Sequence, residues 1–217
     1  MDIAVFSDVI CPWCFIGKRR LERALDQAGL AGQVAIEWLP FELNPDMPPE
    51  GMARSEYRAR KFGAERAAML DAQIGEVGSE EGIRFAFDRM ARTPNTRRAH
   101  MLIARATQQG LGEEVVEALF TAYFERGLDI GDEEALVEIA SGAGLDANEI
   151  RSAVRDEELR RMVIAAERQA QELGISGVPF FVVDRAFALS GAQPTPAWLE
   201  ALEQVKSRSE PAAARAG

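Results

Sequence analysis

The sequence predicts an α/β protein in which both ends of the chain form one domain and a helical segment interrupts it. Strand, helix and strand patterns follow one another within the first 40 residues, strand character returns only near residue 180, and the segment between is helical by composition. Neither end has enough strands to form a stable sheet by itself. We therefore expect strands from the two ends to pair in a single sheet.

The amino-terminal elements predict a β-α-β unit. Residues 3–6 form a short apolar run, and residues 11–28 carry an apolar stripe at helical spacing that Gly29 ends. Residues 34–39 alternate, are rich in branched and aromatic side chains, and are closed by Pro40. The two strands are expected to be parallel and joined by a right-handed crossover.

A turn-rich stretch at residues 44–49 marks a change of composition. After it, helices are predicted at residues 54–77, 95–109, 113–126, 133–143 and about 157–173, with a more extended connection at 83–87. Two strands at 179–183 and 186–189 and a last helix at about 196–206 complete the pattern.

These elements predict three units. Residues 1–45 and 157–206 form a discontinuous α/β domain, residues 46–156 form a helical insertion domain, and residues 207–217 form a disordered tail.

Composition and charge exclude several classes of function. The 217 residues carry a net charge of −10 that is dispersed along the chain, which argues against binding of nucleic acid. No apolar run approaches the roughly 20 residues of a membrane span. Because Met1-Asp2 leads directly into a strand without an export segment, the sequence predicts a cytoplasmic location. Neither nucleic acid nor a membrane is expected as a partner, and no residue pattern marks an oligomer interface.

The two cysteines of the chain, Cys11 and Cys14, lie in a Cys-Pro-Trp-Cys motif at the start of the first predicted helix. An i, i+3 pair can close an unstrained disulfide, and free backbone N–H groups at the helix amino terminus stabilise a thiolate at Cys11. In a reducing compartment such a pair is typical of redox catalysis.

Two structural alternatives to this interpretation are weaker. The cysteines could pack as small apolar side chains. A zinc site would need four ligands, and His100 is the only histidine available to join the two cysteines. No metal and no bound cofactor are therefore expected.

Four segments carry a family resemblance: residues 7–14 (SDVICPWC), 40–45 (PFELNP), 174–183 (GISGVPFFVV) and 190–194 (SGAQP). With these motifs, the chain resembles the FrnE-like branch of the DsbA family over nearly its whole length. The resemblance implies a thioredoxin-like fold with an inserted all-α helical domain.

The resemblance also implies roles for four residues. Cys11 is the nucleophile and Cys14 is the resolving cysteine. The bond between Val178 and Pro179 is cis, and the backbone of Val178 faces the dithiol and pairs with an extended substrate. Trp13, beside the sulfur, is either a docking surface for that substrate or only a shield.

The remaining candidates have two interpretations each. Asp8 either assists proton transfer to or from Cys14 or is a loop carboxylate. Pro12 fixes the helical geometry, and in the first turn of a helix no useful backbone N–H donor is lost. Asn95 and His100 either face the active-site cleft or serve as a helix cap and a helix-helix seam residue. Gln193 either lines the same cleft or belongs only to the turn before the last helix. The charged run at 54–66 is interpreted as a solvated helix face.

The predicted function is thiol-disulfide exchange with protein or small-molecule substrates that carry a disulfide or a thiol. Glutathione is the candidate co-substrate. One alternative is a glutathione-dependent isomerase or transferase, because 2-hydroxychromene-2-carboxylate isomerases and kappa-class glutathione transferases are similar in architecture, although they typically carry serine at the nucleophile position. A second alternative is a non-catalytic module that binds peptides or a client protein in the cleft beside the proline loop.

Overall fold

The computed structural model describes residues 1–209, which contain a four-stranded sheet flanked by helices. In chain order, the elements are β1 (Asp2–Ser7), α1 (Pro12–Gln27), β2 (Ala35–Pro40), β3 (Met52–Ala53), α2 (Arg54–Phe62), α3 (Ala64–Glu80), β4 (Arg92–Thr93), α4 (Arg97–Gln108), α5 (Gly112–Phe120), α6 (Glu133–Gly142), α7 (Ala147–Ala153), α8 (Glu157–Glu172), β5 (Phe180–Val183), β6 (Phe187–Ser190) and α9 (Thr195–Ser209). A π-helical turn, Thr121–Glu125, continues α5.

The sheet joins the two ends of the chain in the order β2-β1-β5-β6. β1 pairs in parallel with β2, where Val5 lies opposite Trp38, and antiparallel with β5, where Val5 lies opposite Phe181. β5 and β6 form an antiparallel hairpin through Asp184 and Arg185, both of which have positive φ. The pairing of β1 with β5 confirms the predicted architecture, in which both ends of the chain form one thioredoxin-like sheet and a helical segment lies between them in the sequence.

Both faces of the sheet are covered by helices. On one face, the Phe181 ring meets Trp198 of α9 edge to face, with 4.8 Å between the ring centroids. On the other face, Phe6 is buried with Ala170 of α8 and with Ile175. Because β1 and β5 are the two central strands and are covered on both sides, nearly all of their residues are apolar.

The helical segment shares its core with α1. The Phe15 ring stacks on Phe120 with 5.0 Å between centroids and lies 6.1 Å from Phe124. Beside these rings, Lys18 is only 3% exposed and its ammonium group lies 2.9 Å from the carboxylate of Glu117 in α5. Apolar and ionic contacts thus bind the two parts of the chain together, and the numerical domain boundaries stay predictions.

The middle of the chain differs from the prediction in several elements. The predicted helix at 54–77 is two helices, because Gly63 between α2 and α3 adopts a φ of 81°, a conformation that favours glycine. The helix predicted at 113–126 becomes π-helical from Thr121. β3 and β4 were not predicted, because they pair over only two residues each, which is too short for an alternating pattern. Helix α7, which Asp146 caps, was not predicted either.

The last helix is longer than predicted. α9 continues to Ser209, whereas the prediction ends it at residue 206. No glycine or proline occurs between Pro196 and Pro211, so nothing in the sequence ends the helix earlier. Residues 207–209 of the predicted disordered tail are therefore helical, and residues 210–217 lie outside the described residues. None of the helices in residues 1–209 combines the length and the hydropathy needed to cross a bilayer.

Gly17 determines how closely α1 approaches β5. A Cβ atom at this position would lie 3.1 Å from Pro179 Cγ and 3.2 Å from Phe181 Cζ, which is tighter than ordinary van der Waals contact. Glycine in a helix interior costs about 1 kcal/mol relative to alanine. The close packing of α1 on the start of β5 explains why this cost is tolerated here.

We predict that Gly17→Ala and Gly75→Ala change stability differently. At Gly75 in α3, a Cβ atom would have no neighbour within 4 Å from elsewhere in the described structure, so alanine should raise the free energy of unfolding by about 0.5–1 kcal/mol. At Gly17, the close contacts should cancel or exceed that gain. Urea unfolding of both variants beside the wild type measures the difference, and equal stabilisation by both would contradict the packing role of Gly17.

Candidate active site

Cys11 and Cys14 lie at the junction of β1 and α1. The turn after Ser7 is closed by the Cys11 N–H, which donates to the Asp8 carbonyl at 2.9 Å. Cys11 is the N-cap residue of α1, and Pro12 occupies the first helical position, where no donor is required. Both thiols are free and buried, with 5% of Cys11 and 1% of Cys14 exposed. The junction therefore holds a reduced dithiol at a helix amino terminus.

The loop before β5 closes over Cys11. The peptide bond between Val178 and Pro179 is cis, and the Cys11 thiol donates to the Val178 carbonyl oxygen at 3.7 Å. Cys11 and Val178 are 167 positions apart in the sequence. The pairing of β1 with β5 brings them together, so one site contains residues from both ends of the chain.

Cys14 occupies a more enclosed position than Cys11. Burial raises the pKa of the Cys14 thiol well above that of a free cysteine, and the neighbouring Cys11 raises it further. The Ser7 hydroxyl and the backbone N–H of Asp8 lower this pKa, but by less. A thiol of this kind is protonated near neutral pH and needs a base before it can attack a disulfide.

A buried charge cluster lies next to the dithiol and consists of Asp8, Glu42, Arg97, His100 and Glu167. The Asp8 carboxylate is completely buried, accepts the Leu43 N–H at 2.7 Å, and lies 3.5 Å from His100 Nε2. Burial by itself would lower the pKa of His100, but the negative charges of Asp8, Glu167 and Glu42 outweigh it and raise the pKa above its ordinary value of 6.5. His100 thus lies beneath the site rather than in the cleft that opens beside it.

The other three members of the cluster join distant segments. Glu42 and Arg97 form a bidentate ion pair with N to O distances of 2.7 and 2.8 Å, and the Glu42 N–H donates to Glu167 Oε1 at 2.9 Å. Burial and the charge of Glu42 raise the pKa of Glu167 to about 7, and burial also raises the pKa of Glu42 despite its pairing with Arg97. The sequence analysis missed these three residues, because their partners lie 55 and 125 positions away and no local pattern marks them.

A cleft of about 360 Å³ opens beside the dithiol. Cys11, Trp13 and Val178 contribute to its lining, whereas Cys14 lies behind Cys11 and does not reach it. Apolar side chains make up much of the remaining wall, among them Leu43, Leu70, Ile74, Phe87, Met90 and Phe124. The cleft therefore has room for a small ligand or an extended peptide segment against Cys11.

Five residues of α2 also line the cleft: Phe62 and the polar residues Arg54, Tyr57, Arg58 and Lys61. None of the residues of α2 is buried, which agrees with the interpretation of residues 54–66 as a solvated helix face, but one side of this helix faces the cleft. Arg54, Tyr57, Arg58 and Lys61 follow an i, i+3, i+4, i+7 spacing, which places them on one side of the helix. This spacing is the sequence pattern from which the cleft wall could have been predicted.

The charges of this wall are incompletely balanced. Asp71 of α3 pairs with Arg54 at 2.8 Å and with Arg58 at 2.5 Å. Lys61 donates to the Tyr57 hydroxyl at 2.6 Å and pairs with no carboxylate within residues 1–209. Three cations and one carboxylate give this side of the cleft a net positive charge, which suits an anionic ligand.

Asn95 and Gln193 do not line the cleft, so the structural interpretation applies to both. The Asn95 side chain donates to the Met47 carbonyl at 2.7 Å and accepts a backbone N–H at the start of α4 at 3.0 Å. The Gln193 side chain donates to the Ser190 carbonyl at 2.7 Å and belongs to the turn before α9. In the part of the chain that the structure describes, no group of three or more histidine, cysteine or acidic side chains forms a metal site.

Comparisons with known proteins agree with this geometry. Residues 2–203 match the family described as DSBA-like thioredoxin domain. The chain is 34% identical to a probable DsbA oxidoreductase, SCO1869 of Streptomyces coelicolor, whose crystal structure matches with a TM-score of 0.89 over 97% of this chain and 92% of that chain. It is 28% identical to the uncharacterized protein YwbO of Bacillus subtilis (strain 168) over 184 residues, which are 84% of this chain and 86% of YwbO.

A more distant structure shares the fold. The cytosolic disulfide reductase DsbM of Pseudomonas aeruginosa, solved with GSH, is 20% identical and matches with a TM-score of 0.67 over 95% of this chain and 100% of DsbM. The family match extends over almost all of the described residues and includes both strands that meet at the dithiol. The chain therefore belongs to the DSBA-like thioredoxin domain family.

Proposed function

We propose that the protein is a thiol-disulfide oxidoreductase that uses Cys11 and Cys14. The observation that carries the proposal is the position of the cysteine pair, with Cys11 Sγ 3.7 Å from the Val178 carbonyl oxygen and Cys11 in the lining of the cleft. Cys11 reaches the cleft and Cys14 lies behind it, which supports Cys11 as the nucleophile and Cys14 as the resolving cysteine.

The reaction follows thiol-disulfide exchange. The Cys11 thiolate attacks one sulfur of a substrate disulfide, forms a mixed disulfide, and releases the first substrate thiolate, which takes up a proton. Cys14 then loses its proton to a base and attacks the Cys11 sulfur, which closes the Cys11-Cys14 disulfide and releases the second substrate thiolate. Two electrons pass from the protein dithiol to the substrate, and the reverse sequence oxidises a substrate dithiol.

The cleft favours acidic substrates of low molecular weight, and glutathione or its disulfide has the required chemistry. Glutathione carries two carboxylates and one ammonium group, so its net charge complements the wall formed by Arg54, Arg58 and Lys61. The DsbM structure with GSH supports this class of substrate. The proposal includes membership of the FrnE-like branch and a cytoplasmic location, where thiols are kept reduced.

Two alternatives make different demands on the cysteines. A glutathione-dependent isomerase or transferase of the 2-hydroxychromene-2-carboxylate isomerase or kappa class would not need Cys14. A peptide-binding module without catalysis would not need either thiol. The presence of both cysteines, one at the helix amino terminus and one a turn later, favours dithiol chemistry.

We predict that the wild-type protein catalyses the reduction of insulin disulfides by dithiothreitol and that Cys11→Ser abolishes this catalysis. Cys14→Ser should retain only a small part of it, because the mixed disulfide then has no internal thiol to resolve it. Precipitation of the insulin B chain measures turnover. Full turnover by Cys11→Ser would contradict the proposal, and glutathione binding by calorimetry that survives this substitution alongside isomerase activity would favour the first alternative.

We predict that Lys61→Gln raises the KM for oxidised glutathione by about 2- to 5-fold with little change in kcat, because one exposed cation is worth up to about 1 kcal/mol to an anionic ligand. Arg60→Gln is the matched control, since Arg60 lies on the same helix but pairs with Glu56 outside the cleft. Steady-state reduction of glutathione disulfide measures both variants. Equal effects at the two positions would show that general charge, not the cleft, recognises the substrate.

A further inference from the structure

Three residues that each carry a buried polar atom line one small cavity between β1, β2 and α4. The cavity measures about 20 Å³, and its lining includes Ser7, Trp38 and His100. These residues are 5%, 6% and 4% exposed. Within residues 1–209, Ser7 Oγ, Trp38 Nε1 and His100 Nε2 have no assigned hydrogen-bond partner, although Asp8 Oδ1 forms a 3.5 Å ionic contact with His100 Nε2.

The cavity has the size and the polar partners that a buried water requires. A water molecule needs roughly 10–15 Å³ of accessible volume and typically makes about three hydrogen bonds. A buried polar atom without a partner costs about 1–3 kcal/mol, so three such atoms around one cavity are expected to share a ligand. A water can donate to His100 Nε2, accept from Trp38 Nε1, and exchange hydrogen bonds with the Ser7 hydroxyl.

The cavity also lies between the acid and the base of the reaction. On one side, the Ser7 hydroxyl is close enough to Cys14 to favour its thiolate. On the other side, His100 is the ionisable residue in the lining of the cavity, and Asp8 Oδ1 lies 3.5 Å from its Nε2. Cys14 is buried behind Cys11 and has no direct path to the cleft, so its proton needs an internal route.

We propose that Ser7, Trp38 and His100 bind one water molecule in this cavity, and that this water and the Ser7 hydroxyl carry the Cys14 proton to His100 when the mixed disulfide is resolved. The inference rests on the proposed oxidoreductase function and assigns the base that this function requires. Ser7, Trp38 and His100 act through Cys14 and are positioning and proton-carrying residues, not nucleophiles.

Along this path, Ser7 and the water each accept one proton and give one up. The Cys14 thiol gives its proton to Ser7 Oγ, Ser7 passes its own proton to the water, and the water passes one to His100 Nε2. The resulting imidazolium lies beside the Asp8 carboxylate, while the Cys14 thiolate attacks the Cys11 sulfur and the substrate thiolate leaves. In the oxidising direction, the same path returns the proton to Cys14 as it becomes the leaving group.

The relay predicts a pH dependence with a definite sign. The charged groups that act on His100 are Asp8, Glu42 and Glu167, and Arg97 pairs with Glu42. Because the carboxylates raise the pKa of His100, the imidazole is protonated and unable to accept a proton at pH values below this raised pKa. The attack of Cys14 on the mixed disulfide should therefore slow as the pH falls through the pKa of His100.

A two-phase reaction with the aromatic disulfide DTNB separates the two cysteines. Reduced protein should release one thionitrobenzoate when Cys11 attacks and a second when Cys14 resolves the mixed disulfide. In stopped-flow experiments from about pH 5.5 to about pH 9, we expect His100→Gln to slow the second phase at neutral pH by about 10- to 100-fold and to abolish its inflection. Glu167→Gln, which keeps the oxygen acceptor but removes the charge that Glu167 carries above its pKa of about 7, should shift that inflection to lower pH without abolishing it.

Two buried tryptophans provide a matched control. Trp38 Nε1 and Trp198 Nε1 both lack a hydrogen-bond partner within the described residues, but only Trp38 borders the cavity. We expect Trp38→Phe to slow the second phase by about 2- to 10-fold, as loss of one hydrogen bond to the water would, and Trp198→Phe to leave it unchanged.

The outcomes distinguish the relay from the function on which it rests. Absence of a second phase in the wild type would overturn both. A normal second phase whose rate and inflection survive His100→Gln, or equal slowing by the two tryptophan variants, would overturn the relay alone. A crystal structure of the reduced protein should show a water within hydrogen-bond distance of Ser7 Oγ and His100 Nε2, and a dry cavity there would also overturn it.

Discussion

The packing of α1 against the loop that begins β5 is the constraint on which the site depends. Gly17 permits the approach, because a side chain there would meet Pro179 and Phe181 at 3.1 and 3.2 Å. Six residues earlier, at the N-cap position of the same helix, the approach brings Cys11 to the carbonyl of Val178. The antiparallel pairing of β1 with β5 holds both partners in register. Cys11 from the first strand-helix junction and the backbone of Val178 thus come together at one place in the fold.

Burial of the charged groups behind this site costs free energy. In this respect they differ from an ion-pair network that stabilises a fold. Three buried carboxylates share one arginine and one histidine, and the pKa of Glu167 rises to about 7 because burial and Glu42 disfavour its charge. Buried charges often cost more in lost hydration than they return in attraction, so such a cluster is weak evidence for stability. Perturbed ionisable groups concentrate at functional sites, and here they lie next to the cysteine whose pKa burial raises. A proton-handling role accounts for a cluster that stability alone would not select.

Local patterns predicted the parts of the fold and site that depend on neighbours in sequence. The Cys-Pro-Trp-Cys motif, the strand-helix junction and the Gly-Val-Pro segment before a strand are all short-range signals, and the strands they flank pair as expected. The cleft wall was missed because the charged residues of α2 also fit a solvated face, and only packing decides which side of the helix is covered. Glu42 and Glu167 were missed for a different reason: they meet across 125 residues, a pairing that neither periodicity nor composition encodes.

The central claim is that the dithiol and the Val178 backbone form a single substrate site. Its most direct test is a crystal structure of Cys14→Ser trapped as a mixed disulfide between Cys11 and glutathione. The account predicts that the glutathione backbone hydrogen-bonds the backbone of Val178 and that its carboxylates lie toward Arg58 and Lys61 in the cleft. A well-ordered glutathione that leaves Val178 unpaired and lies outside the cleft would contradict it.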